Sequence, residues 1–111
     1  MNVLTRLEEG VLLTILKLKD EAYIVSIKDQ LERVMGKNSS FGALYVSLNR
    51  LLKFGYLESR IGESSSVRGG RAKKYYKLTK DGILALKNTR QLQSLMWKDF
   101  ENLADEMLDA R

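Results

Sequence analysis

The hydrophobic period of this chain changes from helical to alternating at Gly55, and that change limits the folds open to it. Before the change, Ser39 to Leu57 reads SSFGALYVSLNRLLKFGYL. Leu44, Leu48, Leu51 and Leu52 recur at i, i+4, i+7 and i+8, the stripe of a helix with one buried face. Ser39 and Ser40 both suit its N-cap, because a serine oxygen accepts from orphan N–H groups. Gly55 suits its end, being able to take the left-handed conformation at little cost. After the change, Leu57, Ser59 and Ile61 alternate with Glu58 and Arg60, and Lys74, Tyr76 and Leu78 with Tyr75, Lys77 and Thr79. Two short strands with the polar run GESSSVRGG between them make a hairpin with a long basic tip. That run fits neither GxGxxG nor GxxxxGK[ST], so it is not read as a nucleotide-binding loop.

Two more helices precede this stretch. Thr5 and Glu8 have the spacing of a capping box. Leu7, Val11, Leu12, Ile15, Leu16 and Leu18 then mark a helix over about 5–18, apolar enough to be mostly buried. The second runs from about Tyr23 to Val34, with Ile24, Ile27, Leu31 and Val34 on its inner face and Gly36 as its C′ residue. Only a few residues join it to the third helix, as in a helix-turn-helix whose last helix enters the major groove. Beyond the hairpin, residues 82–110 read as one helix of about 40 Å. A small core is too short to bury all of it. From Leu92 onward the stripe 92, 96, 100, 103, 107 is spaced to pack on a partner helix, most simply in a second copy of the chain.

Opposite the leucines of the third helix lie Gly42, Tyr45, Val46, Asn49, Arg50 and Lys53, a face with two cations and no acid. Such a face can meet phosphates and base edges, although an ordinary solvated surface has the same ingredients. The wider charge pattern favours the first reading. Residues 37–80 carry ten Lys/Arg against Glu58 and Glu63, whereas residues 81–111 carry four cations against six acids. A basic centre with a mildly acidic tail points to one polyanion-binding surface and one element with another task. With no cysteine and no histidine, disulfides, thiolate metal sites and the commonest general base are absent, and no enzyme is expected. No apolar run is long enough for a membrane span and no signal peptide is read, so the expected location is the cytoplasm.

Three runs together resemble the PadR-like transcriptional regulators. They are Ser40-Phe41-Gly42-Ala43-Leu44-Tyr45, Leu48-Asn49-Arg50-Leu51 with Phe54-Gly55-Tyr56-Leu57, and Gly70-Arg71-Ala72-Lys73-Lys74-Tyr75-Tyr76-Lys77-Leu78-Thr79-Lys80-Asp81-Gly82. The last is similar to the family's wing signature, with Ala72 where proline is usual, which removes a rigid φ. Ala43 stands in place of a frequent threonine, and Ile24 where a glycine often follows the tyrosine. The resemblance covers about residues 5–85, and the short tail is similar to the compact branch with a single C-terminal helix.

It implies an α+β winged helix-turn-helix: three helices and a β-hairpin wing in residues 1–80, and a long C-terminal dimerisation helix in 81–111. It also implies a homodimeric repressor of double-stranded DNA on a near-palindromic operator, released by a small aromatic or cationic effector. No cofactor or metal is called for. The alternative is a winged-helix protein–protein module. Candidate DNA contacts are Ser40, Gly42, Ala43, Tyr45, Val46, Asn49, Arg50, Lys53, Arg68, Arg71, Lys73 and Lys74. Tyr76 is expected in the core and Tyr75 at a domain junction. In one compact relative a tryptophan of the last helix stacks on planar drugs; its place here is Gln93, with Trp97 one turn later. Candidate effector-binding residues are therefore Gln93, Met96, Trp97 and Phe100.

Overall fold

A reciprocal capping box opens the first helix of the computed structural model, which describes residues 3–36, 38–62 and 72–110. Thr5 Oγ1 accepts from the Glu8 amide at 3.1 Å, and Glu8 Oε1 accepts from the Thr5 amide at 2.8 Å. The helix, α1 (Arg6–Leu18), buries Val11, Leu12 and Ile15 completely or nearly so. Leu16, expected inside, is exposed: α1 is covered along one stripe and its flank faces solvent. A single 3₁₀ turn (Lys19–Glu21) leads to α2 (Ile24–Met35), which ends at Gly36 with φ 67°. Ile27 and Leu31 of α2 are core, but Val34 is 67% exposed, because the last turn of α2 runs past the elements that cover the rest. Helix α3 (Phe41–Lys53) is capped by Ser40 Oγ, which accepts from the Ala43 amide at 3.0 Å. Gly55 closes it with φ 78°.

Strands β1 (Leu57–Ile61) and β2 (Lys74–Leu78) pair antiparallel, with Leu57 opposite Leu78 and Ile61 opposite Lys74. Leu57 is the buried residue of β1. Ser59 and Ile61 lie in solvent, so its alternation marks a strand without marking a covered face. Ala22 and Tyr23 add a short third edge: the Tyr76 amide donates to the Ala22 carbonyl at 2.9 Å, and Tyr23 bridges to Tyr75. This edge corrects the expectation for Tyr75. Its ring packs edge-on to Tyr23, 5.7 Å between centroids, inside the winged-helix body and not at a junction. Tyr76 is core, as expected.

Helix α4 (Lys80–Met96) starts within that body. Thr79 Oγ1 accepts from the Gly82 amide at 3.1 Å and donates to the Gly55 carbonyl at 2.5 Å. Its amide also donates to the Tyr56 carbonyl at 3.0 Å. The start of α4 approaches the end of α3 so closely that a Cβ on Gly82 would run into the Tyr56 carbonyl. Ala85 belongs to the core; farther along, the helix leaves it.

The single helix expected to Ala110 is interrupted. Trp97, Lys98 and Asp99 form a turn, Asp99 takes the left-handed conformation (φ 65°), and α5 (Phe100–Asp109) follows. Aspartate tolerates that conformation better than most residues, and neither glycine nor proline marks the break. None of α5 is buried, and the molecule measures 66 × 28 × 21 Å.

Candidate nucleic-acid interface

The leucine stripe of α3 fixes which residues it shows to solvent. With Leu44, Leu48 and Leu51 fully buried, Gly42, Ala43, Tyr45, Val46, Asn49, Arg50 and Lys53 are all exposed, as is Ser40 at the cap. Val46, at 69% exposure, stands at the centre of this face. The joint before α3 is held by Lys28, which pairs with Glu32, reaches Asn38 Oδ1 at 3.3 Å and lies over the Phe41 ring.

One groove brings the helix and the wing together. Tyr45 of α3, Ala72 and Lys73 just before β2, Lys74 and Tyr76 within it, and Tyr23, Ile24 and Val25 at the start of α2 line a space of about 470 Å³. Its cations are placed by aromatic rings. Lys73 Nζ lies 4.3 Å from the centroid of Tyr23, and Lys74 Nζ lies 5.7 Å from that of Tyr76. On the far side of the wing the Arg60 guanidinium stacks 4.6 Å from Tyr75. Burial pushes the Tyr76 phenol above its ordinary pKa, and the nearby Tyr45 phenol adds to the rise. The Tyr76 phenol is therefore a neutral donor at neutral pH. Arg68 and Arg71, expected among the DNA contacts, lie outside the described residues.

Arg50 is less free than its place on the face suggests. Its Nε forms an ion pair with Glu8 Oε2 at 3.2 Å, and its Cζ lies 5.1 Å from the Phe54 centroid. The Glu8 side chain is 3% exposed and that of Arg50 51%. Sequence reasoning read Glu8 for its capping role alone. The signal was a carboxylate in the first turn of a helix whose other residues at that stripe are apolar.

The candidate effector residues divide. Gln93 Nε2 donates to Glu9 Oε2 at 2.6 Å, tying α4 to α1. Gln93, Met96 and Trp97 line a groove of about 530 Å³ with Val3, Leu4, Arg6, Glu9 and Leu92. Phe100 is not in its wall but meets Trp97 edge-on, 4.8 Å between centroids. Among the described residues no helix is long and apolar enough to cross a membrane, and no three metal-ligating side chains cluster.

Three helices, the last presenting a polar cationic face, and a two-stranded wing beside it define the winged helix-turn-helix class of DNA-binding regulators. The profile of the transcriptional regulator PadR-like family matches residues 3–88, and the chain belongs to that family. It is a DNA-binding transcriptional regulator, and the family is one of regulators and not of enzymes. No curated protein matches the chain.

Among solved structures it is similar to a PadR family transcription regulator from Clostridium difficile, with 25% identity over 91% of this chain and 97% of that one, and a TM-score of 0.64. A PadR-like transcription factor from Bacteroides fragilis is 28% identical over 91% of this chain and 88% of that one, at a TM-score of 0.63. A PadR-like regulator from Bacillus cereus shares the fold at 24% identity, covering 95% and 93% of the two chains, with a TM-score of 0.67.

Proposed function

We propose that this regulator is a repressor that binds a near-palindromic operator as a homodimer and leaves it when a small planar or cationic effector binds. The observation that carries the DNA reading is the groove in which Tyr45 of α3 faces Lys73 and Lys74 of the wing. In this reading Asn49 meets a base edge, flanked by Ser40, Gly42, Ala43 and Val46 where backbone and small side chains allow close approach. Tyr45, Lys53, Lys73 and Lys74 hold phosphates, and Arg68 and Arg71 add cations at the tip. Arg50 stands at the edge of the same face. Residues 1–80 form the DNA-binding unit and residues 81–111 the dimerisation unit.

The dimer is supported by the apolar side chains that α4 and α5 leave in solvent, among them Leu95, Met96, Leu103, Met107 and Leu108. Patches of this kind mark interaction surfaces. A repressor acts by occupying its site, and two copies supply the two reading helices that a palindrome requires, about 34 Å apart. The effector reading is supported by the groove beside Trp97, which has the size of a small-molecule site.

Duplex binding measured against salt tests the reading. Lys73→Ala with Lys74→Ala should flatten the slope of log affinity on log salt by about two units, equally for all sequences. An unchanged slope would remove the wing lysines from the interface. For the effector, planar cationic dyes should quench the fluorescence of Trp97, the sole tryptophan, to saturation; no quenching across a varied panel would end that part.

A further inference from the structure

The ion pair of Glu8 with Arg50 presents a puzzle of charge. A capping-box glutamate works equally well in solvent, yet this one is buried, and taking a carboxylate out of water is costly unless it is paired. Its two oxygens are divided: Oε1 holds the Thr5 amide, and Oε2 faces Arg50 Nε at 3.2 Å. The guanidinium is met a second time by the Phe54 ring, at the C-cap of α3. Paired at Nε and set against an aromatic ring, the Arg50 guanidinium is restrained at two points, while about half of its side chain stays in solvent beside Asn49 and Lys53.

This pairing has two opposite effects on DNA. The carboxylate cancels most of the long-range attraction that Arg50 would exert on a polyanion. The same contact removes the rotamer entropy that a free arginine loses on forming a directed pair of hydrogen bonds. Loss of attraction is felt equally by every duplex; a fixed fork rewards the duplex that places acceptors in its plane. We propose that Glu8 is a positioning residue for DNA recognition, holding Arg50 as a fixed fork that contributes selectivity among duplexes more than overall attraction. The proposal rests on the reading of the α3 face as the DNA surface, and names a residue on α1, behind that surface, as part of its specificity.

The test compares binding to a duplex selected by the protein from a randomised library with binding to a mixed-sequence duplex, over a range of salt, at a temperature where each variant is folded by circular dichroism. Glu8→Gln and Arg50→Lys should each lower the affinity ratio of the two duplexes about tenfold, the discrimination of one directed arginine pair. The double variant should fall no further than either single one. Glu8→Gln should leave the salt slope as steep as in the native protein or steeper, since it releases a cation.

A ratio unchanged in Glu8→Gln but lowered in Arg50→Lys would overturn the proposal and leave the DNA face standing. If Arg50→Lys and Arg50→Ala alter neither ratio nor slope, Arg50 is not at the DNA surface and the proposal falls with that assignment. A measurement on the native protein covers the case in which Glu8→Gln fails to fold. Nitrogen relaxation of the Arg50 Nε–H should match the backbone of α3; mobility equal to that of exposed Arg33 would overturn the proposal.

Discussion

Lys19 and Gly82 carry the two backbone demands with the clearest cost. Lys19 caps α1 with φ 54° and ψ −122°, a region that side chains avoid. Such a conformation costs about 1–3 kcal/mol, and glycine relieves it while adding about 0.4–1 kcal/mol of unfolded-state entropy. Lys19→Gly should therefore raise stability by about 1 kcal/mol in denaturant unfolding, the difference between these terms. Gly82 makes the opposite demand. Its hydrogen sits where the Tyr56 carbonyl leaves no room for a methyl group, so Gly82→Ala should cost about 1–3 kcal/mol and lower the thermal midpoint.

Tyr76 supplies a pH dependence of definite sign. Because burial raises its pKa in the folded chain, the unfolded tyrosine ionises first. The stability it contributes is complete below the unfolded value near 10.0 and is lost as pH rises through the higher folded one. Tyr76→Phe should flatten the fall of the melting temperature in that alkaline window; an equally steep fall would place its cause elsewhere.

At the scale of elements, α3 permits a paired test. Leu48 is fully buried and its neighbour Asn49 exposed. Leu48→Ala should cost about 2–5 kcal/mol, whereas Asn49→Ala should change stability by no more than about 0.5 kcal/mol and still alter operator choice. The reverse order in thermal melts would mean that the helix presents another face.

The rotation of α3 was legible because four leucines at helical spacing leave one solution, and its ends because serine and glycine stand at the caps. The hairpin was legible from its change of period. What could not be read has a common physical character. The break at Asp99 needs a left-handed backbone at a residue type that adopts it only sometimes. The burial of Glu8 depends on Arg50, 42 positions later, and the pairing of Tyr75 with Tyr23 on an edge formed by two residues. Local pattern records the period of an element, and these features arise between elements. At the site, the exposed face of α3 was legible, while the groove it shares with Lys73, Lys74 and Tyr23 required the fold.

For the whole molecule, the winged-helix body ends where α4 leaves it, and the proposed dimer would cover the apolar side chains that α5 leaves in solvent. Truncation after Lys87 keeps Gly82 and Ala85 in the core and removes Gln93, Trp97 and α5. The shortened chain should sediment as a monomer or aggregate; an intact dimer would place the interface on the body itself.

The bonding at Thr79 has a further consequence for such a dimer. Thr79 joins the carbonyls just beyond α3 to the first turn of α4, so a change in the direction of α4 would be passed on to α3. The 17 residues of α4 give an arm of about 25 Å, and swinging it by about 5° moves its far end by about 2 Å. The spacing of two reading heads would then be set by an angle at the dimer axis. A molecule wedged there could spoil the match to a palindrome without touching a single base pair.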